Sequence, residues 1–141
     1  MPVISNVMRL EANDSLLAVR ITEVIPLGQQ RAGDLRFECS ASVKGFTGLS
    51  HGWIDAEHMK EWASTIRRLY ESLDGVAVLE SMSPGELRIS VEPKNPRGYV
   101  TVRVEVASFH PTHRAMKGEF ELALPDLREL VEWSESAHGT A

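Results

Sequence analysis

The histidines of this sequence are the side chains best suited to metal chemistry. His110 and His113 lie in the turn sequence HPTH, and Glu57 and His58 lie near the start of a predicted helix. Zinc needs three or four nitrogen, sulfur or carboxylate ligands in tetrahedral geometry, so a site forms only if the fold joins the two segments. The His-x-x-His spacing matches no established zinc motif. We therefore expect exposed turn histidines, no metal and no cofactor, and a metal site at His110 and His113 is the alternative.

Cys39 is the only cysteine, so the chain cannot form an intrachain disulfide. It lies between Phe37 and Ala41 on the apolar side of an alternating segment. A buried thiol there has a raised pKa and is a poor nucleophile. We assign no set of serine, histidine and acid residues to nucleophilic catalysis. The sequence thus indicates no catalytic residues, and we predict that the protein is not an enzyme.

The segment Gly45–Gly52 (GFTGLSHG) is rich in glycine. It lacks the Gly-Lys-Ser/Thr ending of a P-loop and the GxGxxG spacing of a dinucleotide site. We predict a flexible crossover between a strand and the helix that follows, which could serve as a mobile recognition loop. An alternative function is therefore a small ligand- or metal-binding domain, or an enzyme of unknown chemistry, that uses this loop and the turn at His110 and His113.

Charged residues on the polar sides of the predicted strands are the main candidates for a binding surface. We expect them to share one solvent-exposed face of a sheet, where opposite charges on neighbouring strands stabilise by about 0.2–1 kcal/mol per pair. The same face is a candidate docking surface, because complementary charges set specificity and association rate. A half-exposed tryptophan beside the helix is a candidate anchor. These candidates are Arg20, Arg36, Glu38, Arg88, Arg103, Glu105, Glu119, Glu121 and Trp53.

One long amphipathic helix, Asp55–Leu73, organises the predicted elements. Its apolar residues recur at steps of three and four and form one stripe. Asp55 is predicted to be the N-cap. Asp74 and Gly75 are predicted to stop the helix, with the glycine in the left-handed conformation. The stripe consists of Met59, Trp62, Ala63, Ile66, Leu69, Tyr70 and Leu73.

Alternating segments on both sides of this helix predict strands, and the clearest runs from Leu35 to Lys44. Short turns between consecutive strands favour antiparallel pairing, with the helices on one face. A short helix is predicted after Pro125, and residues 134–141 are predicted to be a frayed tail. The predicted fold class is α+β: a mostly antiparallel β-sheet of about six to eight strands, with one long helix packed on one face and a short C-terminal helix. We expect one domain, 1–141, without an internal repeat.

The chain has 141 residues and a net charge of −5 at pH 7. This mild acidity, without a stripe of Lys and Arg, argues against nucleic-acid binding and is compatible with a basic protein partner. No apolar run is long enough to cross a bilayer, and the first residues lack the basic region and apolar core typical of a signal peptide, so we expect none. We expect no membrane association and a cytoplasmic location. A homo-oligomer is compatible with the sequence, which does not predict one.

The order of elements resembles that of the WapI-type bacterial immunity proteins and their uncharacterised relatives. The similarity spans nearly the whole chain and consists of early alternating strands, the helix start Gly52-Trp53-Ile54-Asp55, the strand end Phe120-x-Leu122 and a closing helix with Leu127-x-x-Leu130-Val131. The resemblance implies a cytoplasmic, non-enzymatic protein that binds and neutralises a cognate toxin, such as a nuclease. We therefore predict a protein-binding domain, with a basic toxin domain as its partner.

Overall fold

The computed structural model describes residues 7–108 and 114–139, with side chains through residue 137. Within these ranges, four strands followed by a helix occur twice. The first half comprises β1 (Val7–Ala12), β2 (Ser15–Val24), β3 (Leu35–Val43), β4 (Phe46–Ile54) and α1 (Ala56–Ser72). The second half comprises β5 (Ala77–Glu80), β6 (Leu87–Asn95), β7 (Tyr99–Ser108), β8 (Arg114–Ala123), a 3-10 turn (Leu124–Leu127) and α2 (Arg128–Gly139).

The strands pair in sequence order and form two antiparallel sheets, β1-β2-β3-β4 and β5-β6-β7-β8. The predicted α+β class, with antiparallel strands, one long helix and a short C-terminal helix, is confirmed. The described strands form two sheets of four, however, instead of one sheet of six to eight. Alternation and short turns predict which consecutive strands pair. They do not determine whether β5, which follows a helix of 17 residues, rejoins the first sheet.

The inner faces of both sheets and the apolar stripe of α1 enclose one hydrophobic cluster. In β3 the predicted alternation is confirmed, with every inward side chain buried. These inward residues are Leu35, Phe37, Cys39, Ala41 and Val43. In β7 the inward face consists of valines at positions 100, 102, 104 and 106, all buried.

Two glycines allow the sheets to approach each other closely. A Cβ on Gly48 would lie 2.4 Å from Cγ2 of Val106, and a Cβ on Gly118 would lie 2.8 Å from Cβ of Val43. Each glycine lies in the fourth strand of its half, and each valine lies in the third strand of the other half. The contact therefore occurs twice with the halves exchanged, which is an internal repeat of structure that the sequence does not show.

Helix α1 begins as predicted and ends at a different residue. The carboxylate of Asp55 accepts a hydrogen bond from the backbone N–H of His58 at 3.2 Å, which confirms Asp55 as the N-cap. The helix ends at Leu73, which has φ +52° and donates its N–H to the carbonyl of Leu69 at 2.8 Å. Gly75 has φ +86°, but it lies beyond the cap. Leu73 itself adopts the left-handed conformation that ends the helix, so the prediction that Asp74 and Gly75 make the stop is wrong, although the positive φ predicted for Gly75 is confirmed.

The predicted frayed tail is wrong for the residues that the structure describes there. Helix α2 continues to Gly139, and Ser134 is fully buried against α1. The guanidinium of Arg67 donates two hydrogen bonds to the carboxylate of Glu135, at 2.8 and 2.6 Å. These contacts with α1 order a segment whose own sequence is short and polar. Residues 140–141 lie outside the described ranges.

Candidate protein-binding surfaces

The candidate charged residues lie on the outer faces of two different sheets. Arg20, Arg36 and Glu38 belong to β2 and β3, in the first sheet. The remaining charged candidates, on β6, β7 and β8 of the second sheet, are Arg88, Arg103, Glu105, Glu119 and Glu121. The prediction of one shared face is therefore wrong, because alternation orients each side chain on its strand without identifying the sheet that the strand joins.

A row of alternating charges crosses all four strands of the second sheet. Glu80, Arg88, Glu105 and Lys117 occupy directly opposite positions on β5, β6, β7 and β8. Arg88 lies 3.8 Å from the carboxylate of Glu80 and 3.6 Å from that of Glu105. Lys117 lies 3.5 Å from Glu105. We call this row the ion-pair ladder.

The other charged candidates on this face also have partners within the sheet. Arg103 pairs with Glu92, and with Glu119 at 3.5 Å. Lys94 pairs with Glu121. All these side chains are substantially exposed, and such pairs each contribute only about 0–1 kcal/mol. Mutual pairing accounts for these charges without requiring a bound partner.

On the first sheet, Arg20 pairs with Glu38. The hydrogen bond from Arg20, and then its charge, hold the pKa of Glu38 below its usual value, with smaller contributions from Arg36 and His51. Arg36 is exposed and makes no ion pair within the described ranges. Trp53 is half-buried, and its carbonyl accepts a hydrogen bond from the N–H of Met82 at 2.8 Å.

The predicted loop Gly45–Gly52 is mostly strand, so that prediction is wrong. Lys44 and Gly45, at φ +51° and +88°, form a two-residue turn of the kind that closes β-hairpins, and Phe46 starts β4 directly opposite Val43. The turn itself was readable from the sequence. The strand that follows was obscured by glycines, two of which, Gly48 and Gly52, are required by close neighbours.

The pairing of β4 leaves its outer edge without described backbone partners from Thr47 to His51, and the next outward carbonyl, of Trp53, accepts the hydrogen bond from Met82. In a two-residue hairpin the flanking residues form a hydrogen-bonded pair, and such pairs then alternate along the ladder. From the pair of Val43 and Phe46, the groups that point away from β3 belong to Thr47, Leu49 and His51. No other described backbone group bonds these three residues. Within the described ranges, three N–H donors and three carbonyl acceptors are therefore free along one edge.

The other three edge strands of the described ranges are protected. β1 carries Arg9 and Glu11 and packs beside α2. β5 has only four residues and packs beside α1, and the N–H of Glu80 donates to Nε2 of His58 at 2.9 Å. β8 contains four charged residues. β4 has nine residues in regular register and no Asp, Glu, Lys or Arg, while Phe46 and Leu49 are 73% and 70% exposed. Charges and short length are usual protections of an edge, and β4 has neither of them.

A groove of about 780 Å³ lies beside this edge, and we call it the β4 groove. Apolar residues from β4, β7 and β8 line part of it, namely Leu49, Val106 and Met116. The charged residues among its described lining are Arg20, Glu38 and Arg114, a net charge of +1 in a chain of net charge −5. Arg114 is exposed and makes no ion pair within the described ranges. A stretch of nine residues without a charge, directly after a hairpin turn, is the sequence signal that identifies this edge.

Ser50 also lines the β4 groove and is 5% exposed. Within residues 7–108 and 114–137, its hydroxyl is the one buried side-chain polar atom without a hydrogen-bond partner. The segment Gly48–Gly52 has the spacing Gly-x-Ser-x-Gly. In hydrolases this pattern places serine on a strained turn between strand and helix. Ser50 lies in the middle of β4 instead, without a hydrogen bond to any histidine, so this segment is not a nucleophile elbow.

The other side chains that could carry chemistry, Cys39 and His58, are engaged in the fold: one is buried and the other is hydrogen-bonded. Cys39 is buried, as predicted, and burial raises the pKa of its thiol from 9.0 to about 12. His58 accepts the hydrogen bond from β5. His110 and His113 lie outside the described residues. Among the residues that the structure describes, no three His, Cys, Asp or Glu side chains converge in a way that could hold a metal ion.

A second groove, of about 840 Å³, lies between β1 and the start of α2. Its acidic residues are Glu11, Asp126, Glu129 and Glu132, against Arg9 and Arg128, a net charge of −2. Arg9 pairs with Glu11 and Arg128 with Glu132. Acids at the start of α2 also interact favourably with the positive end of the helix dipole. This acidic groove is therefore partly explained by the helix it borders.

No protein-family model and no curated protein matches this chain. The resemblance to WapI-type immunity proteins accordingly stays a prediction. Of the helices that the structure describes, neither is long and apolar enough to cross a membrane.

Proposed function

We propose that this protein is a non-enzymatic protein-binding domain that takes its partner at the open edge of β4. The contrast between β4 and the three protected edges carries the proposal. An uncharged, regular edge strand is a template for pairing with another chain. The exposed side chains of Phe46 and Leu49 place apolar area beside the free backbone groups. Backbone pairing then contributes affinity, and the neighbouring side chains contribute specificity.

We further propose that the partner is a toxin and that the protein acts as a cytoplasmic immunity protein. Support comes from the resemblance in the order of elements and from the net charge of −5. Charge of this sign attracts a basic toxin domain over long range and raises the association rate. The acidic groove beside β1 adds to that field, while the contacts at β4 are of short range.

The test is co-expression with the product of the adjacent gene, followed by measurement of Kd for the purified pair. Leu49→Lys places a charge on the open edge, and we expect it to weaken binding at least about tenfold. Thr101→Lys is the matched control, since it adds the same charge on the outer face of the second sheet between Glu92 and Glu121. Equal effects of the two substitutions would assign the loss to net charge and remove the edge from the interface.

The ion-pair ladder face is tested in the same assay by the double reversal Arg103→Glu with Glu105→Arg. We expect this variant to bind normally, because these side chains are engaged within the sheet. Loss of binding in the double reversal, with Leu49→Lys unaffected, would move the interface to the second sheet. Circular dichroism of each variant controls for unfolding.

A second candidate function is binding of a small ligand in the β4 groove. The volume of about 780 Å³ lies in the range of small-molecule sites, and the unpartnered hydroxyl of Ser50 belongs to its lining. This alternative no longer depends on a mobile Gly45–Gly52 loop, because that segment is strand. A ligand that binds with Leu49 exposed to solvent and with the edge amides still exchanging freely would favour it.

A further inference from the structure

We propose that the β4 groove binds an extended peptide segment that adds a fifth strand to the first sheet and carries a carboxylate side chain for Arg114. The inference rests on the proposed protein-binding function and specifies the chemistry of the bound segment. It has three supports, which are the free backbone groups, the apolar lining and the charge of the groove.

The backbone of β4 supplies the pairing groups. Thr47, Leu49 and His51 present N–H and C=O groups at every second position, which is the repeat that an incoming strand requires. Neighbouring strands lie about 4.8 Å apart, so an added strand occupies the space immediately beside β4. The groove is lined by these three residues of β4 and by residues of β7 and β8, and it also extends over outward residues of β2 and β3.

The apolar residues that line the groove indicate which side chains the bound segment should carry. Leu49 is largely exposed beside the free edge, whereas Val106 and Met116, which line the inner side of the groove, are only 1% and 8% exposed. Because successive side chains of a strand point to opposite faces, an incoming segment can bury apolar residues at alternate positions and present polar residues between them. An alternating apolar and polar segment therefore matches the site better than a uniformly polar one.

Charge determines the polar residue. Arg20 is already paired with Glu38, the only acid among the described lining residues, whereas Arg114 makes no ion pair within the described ranges. A lysine in the incoming segment would approach Arg114 without an available carboxylate. A glutamate or aspartate would instead form a charge-assisted hydrogen bond. The groove therefore favours an acidic segment even though the whole protein is acidic.

The same argument disfavours a second copy of this chain at the edge. Pairing of β4 with β4 of another copy would bring a strand without any carboxylate into each groove. Arg114 would stay without an acid from that strand in both copies. Self-association through β4 is therefore disfavoured, and the experiment below tests for it directly.

The experiment uses the peptide acetyl-Thr-Val-Glu-Val-Thr-Val-Glu-amide and its counterpart with both glutamates replaced by lysine. Binding to the full chain is followed by ¹⁵N NMR, with amide hydrogen exchange as the structural readout. We expect the Glu peptide to bind at least about fivefold more tightly than the Lys peptide at low salt. We also expect exchange to slow at Thr47, Leu49 and His51, while Gly48 and Ser50, already paired with β3, change little.

Two matched comparisons isolate the backbone and the charge. N-methylation of one alternate set of peptide amides removes the donors that face β4, and methylation of the other set removes only donors that face away. We expect methylation of the donors that face β4 to abolish binding and methylation of the donors that face away to preserve it. Arg114→Gln should remove the preference for the Glu peptide, and Arg97→Gln, the same change in the turn before β7, should leave it intact.

Several results would overturn this inference. Equal effects of the two methylation patterns, or binding without slower exchange at the three edge amides, would exclude strand addition. Concentration-dependent dimerisation without peptide, abolished by Leu49→Lys, would assign the edge to a second copy. If neither peptide binds while the co-expressed partner binds the wild type and not Leu49→Lys, the inference fails and the proposed function stands.

Discussion

Nε1 of Trp62 donates a hydrogen bond of 2.7 Å to the hydroxyl oxygen of Ser134, 72 residues away in the sequence. Both side chains are buried, and the Ser134 hydroxyl in turn donates to the carbonyl of Leu130 at 2.7 Å. The indole of α1 thus has its one polar group satisfied by α2. The contact joins the helices of the two halves inside the core.

Ser134→Ala should destabilise the protein by about 1–3 kcal/mol, because the indole N–H of Trp62 is then buried without a partner. Urea unfolding followed by tryptophan fluorescence measures the change in free energy of unfolding. Ser136→Ala, on a half-buried side of the same helix, is the control and should change stability by less than about 0.5 kcal/mol. Similar values for the two variants would show that the hydrogen bond contributes nothing specific.

Gly48→Ala should cost about 1–3 kcal/mol of stability, since the new Cβ would overlap Val106. The cause can be isolated with Val106→Ala, which removes the methyl group that lies 2.4 Å from the added carbon. In the double variant the cost of the alanine at position 48 should fall, and a double-mutant cycle measures this coupling. Strictly additive effects would contradict the close approach of the sheets.

Cys39 should react with a thiol reagent at pH 8 at least about a hundredfold more slowly in the native protein than in urea. Burial both blocks access and raises the thiol pKa to about 12. Ellman's reagent measures the two rates. Comparable rates would mean that β3 opens readily or that the thiol is not buried.

The same thiol predicts a dependence of stability on pH. Its folded pKa is raised from 9.0 to about 12, so above pH 9 the unfolded chain loses this proton first. The stability that the protonated thiol contributes is fully present below pH 9, and it decreases as pH rises from 9 towards the folded pKa of about 12. Relative to Cys39→Ala, the wild type should lose about 1 kcal/mol per pH unit between pH 9.5 and 11. Parallel stability curves for the two proteins would contradict the raised pKa.

Glu105→Gln tests the ion-pair ladder, because Glu105 faces both Arg88 and Lys117. Exposed pairs contribute little, so we expect a loss of about 0.5–1 kcal/mol at low salt that shrinks in high salt. Glu61→Gln, on the exposed side of α1, is the control. A loss above about 2 kcal/mol would mean that the ladder is a major source of stability and not a weakly contributing surface.

Local signals identified the elements whose structure depends on near neighbours. The cap at Asp55 and the apolar stripe define α1 because a helix is stabilised by residues three and four positions apart. The inward and outward sides of β3 follow from alternation alone. The buried state of Cys39 was therefore predictable, and so was the lack of charge in the segment after the turn at Lys44 and Gly45.

The sequence by itself determined the helix, the strand alternation and the α+β class, since each depends on contacts between residues close in the chain. Tertiary structure decided the rest. Arg20 and Arg88 lie on different sheets because β5 starts a new sheet after α1. Ser134 is buried in contact with Trp62 of the other helix, and position 48 requires glycine because Val106 packs against it. The open edge of β4 likewise exists only because no strand or helix of the described chain pairs with it, and such relations between distant segments are absent from local patterns.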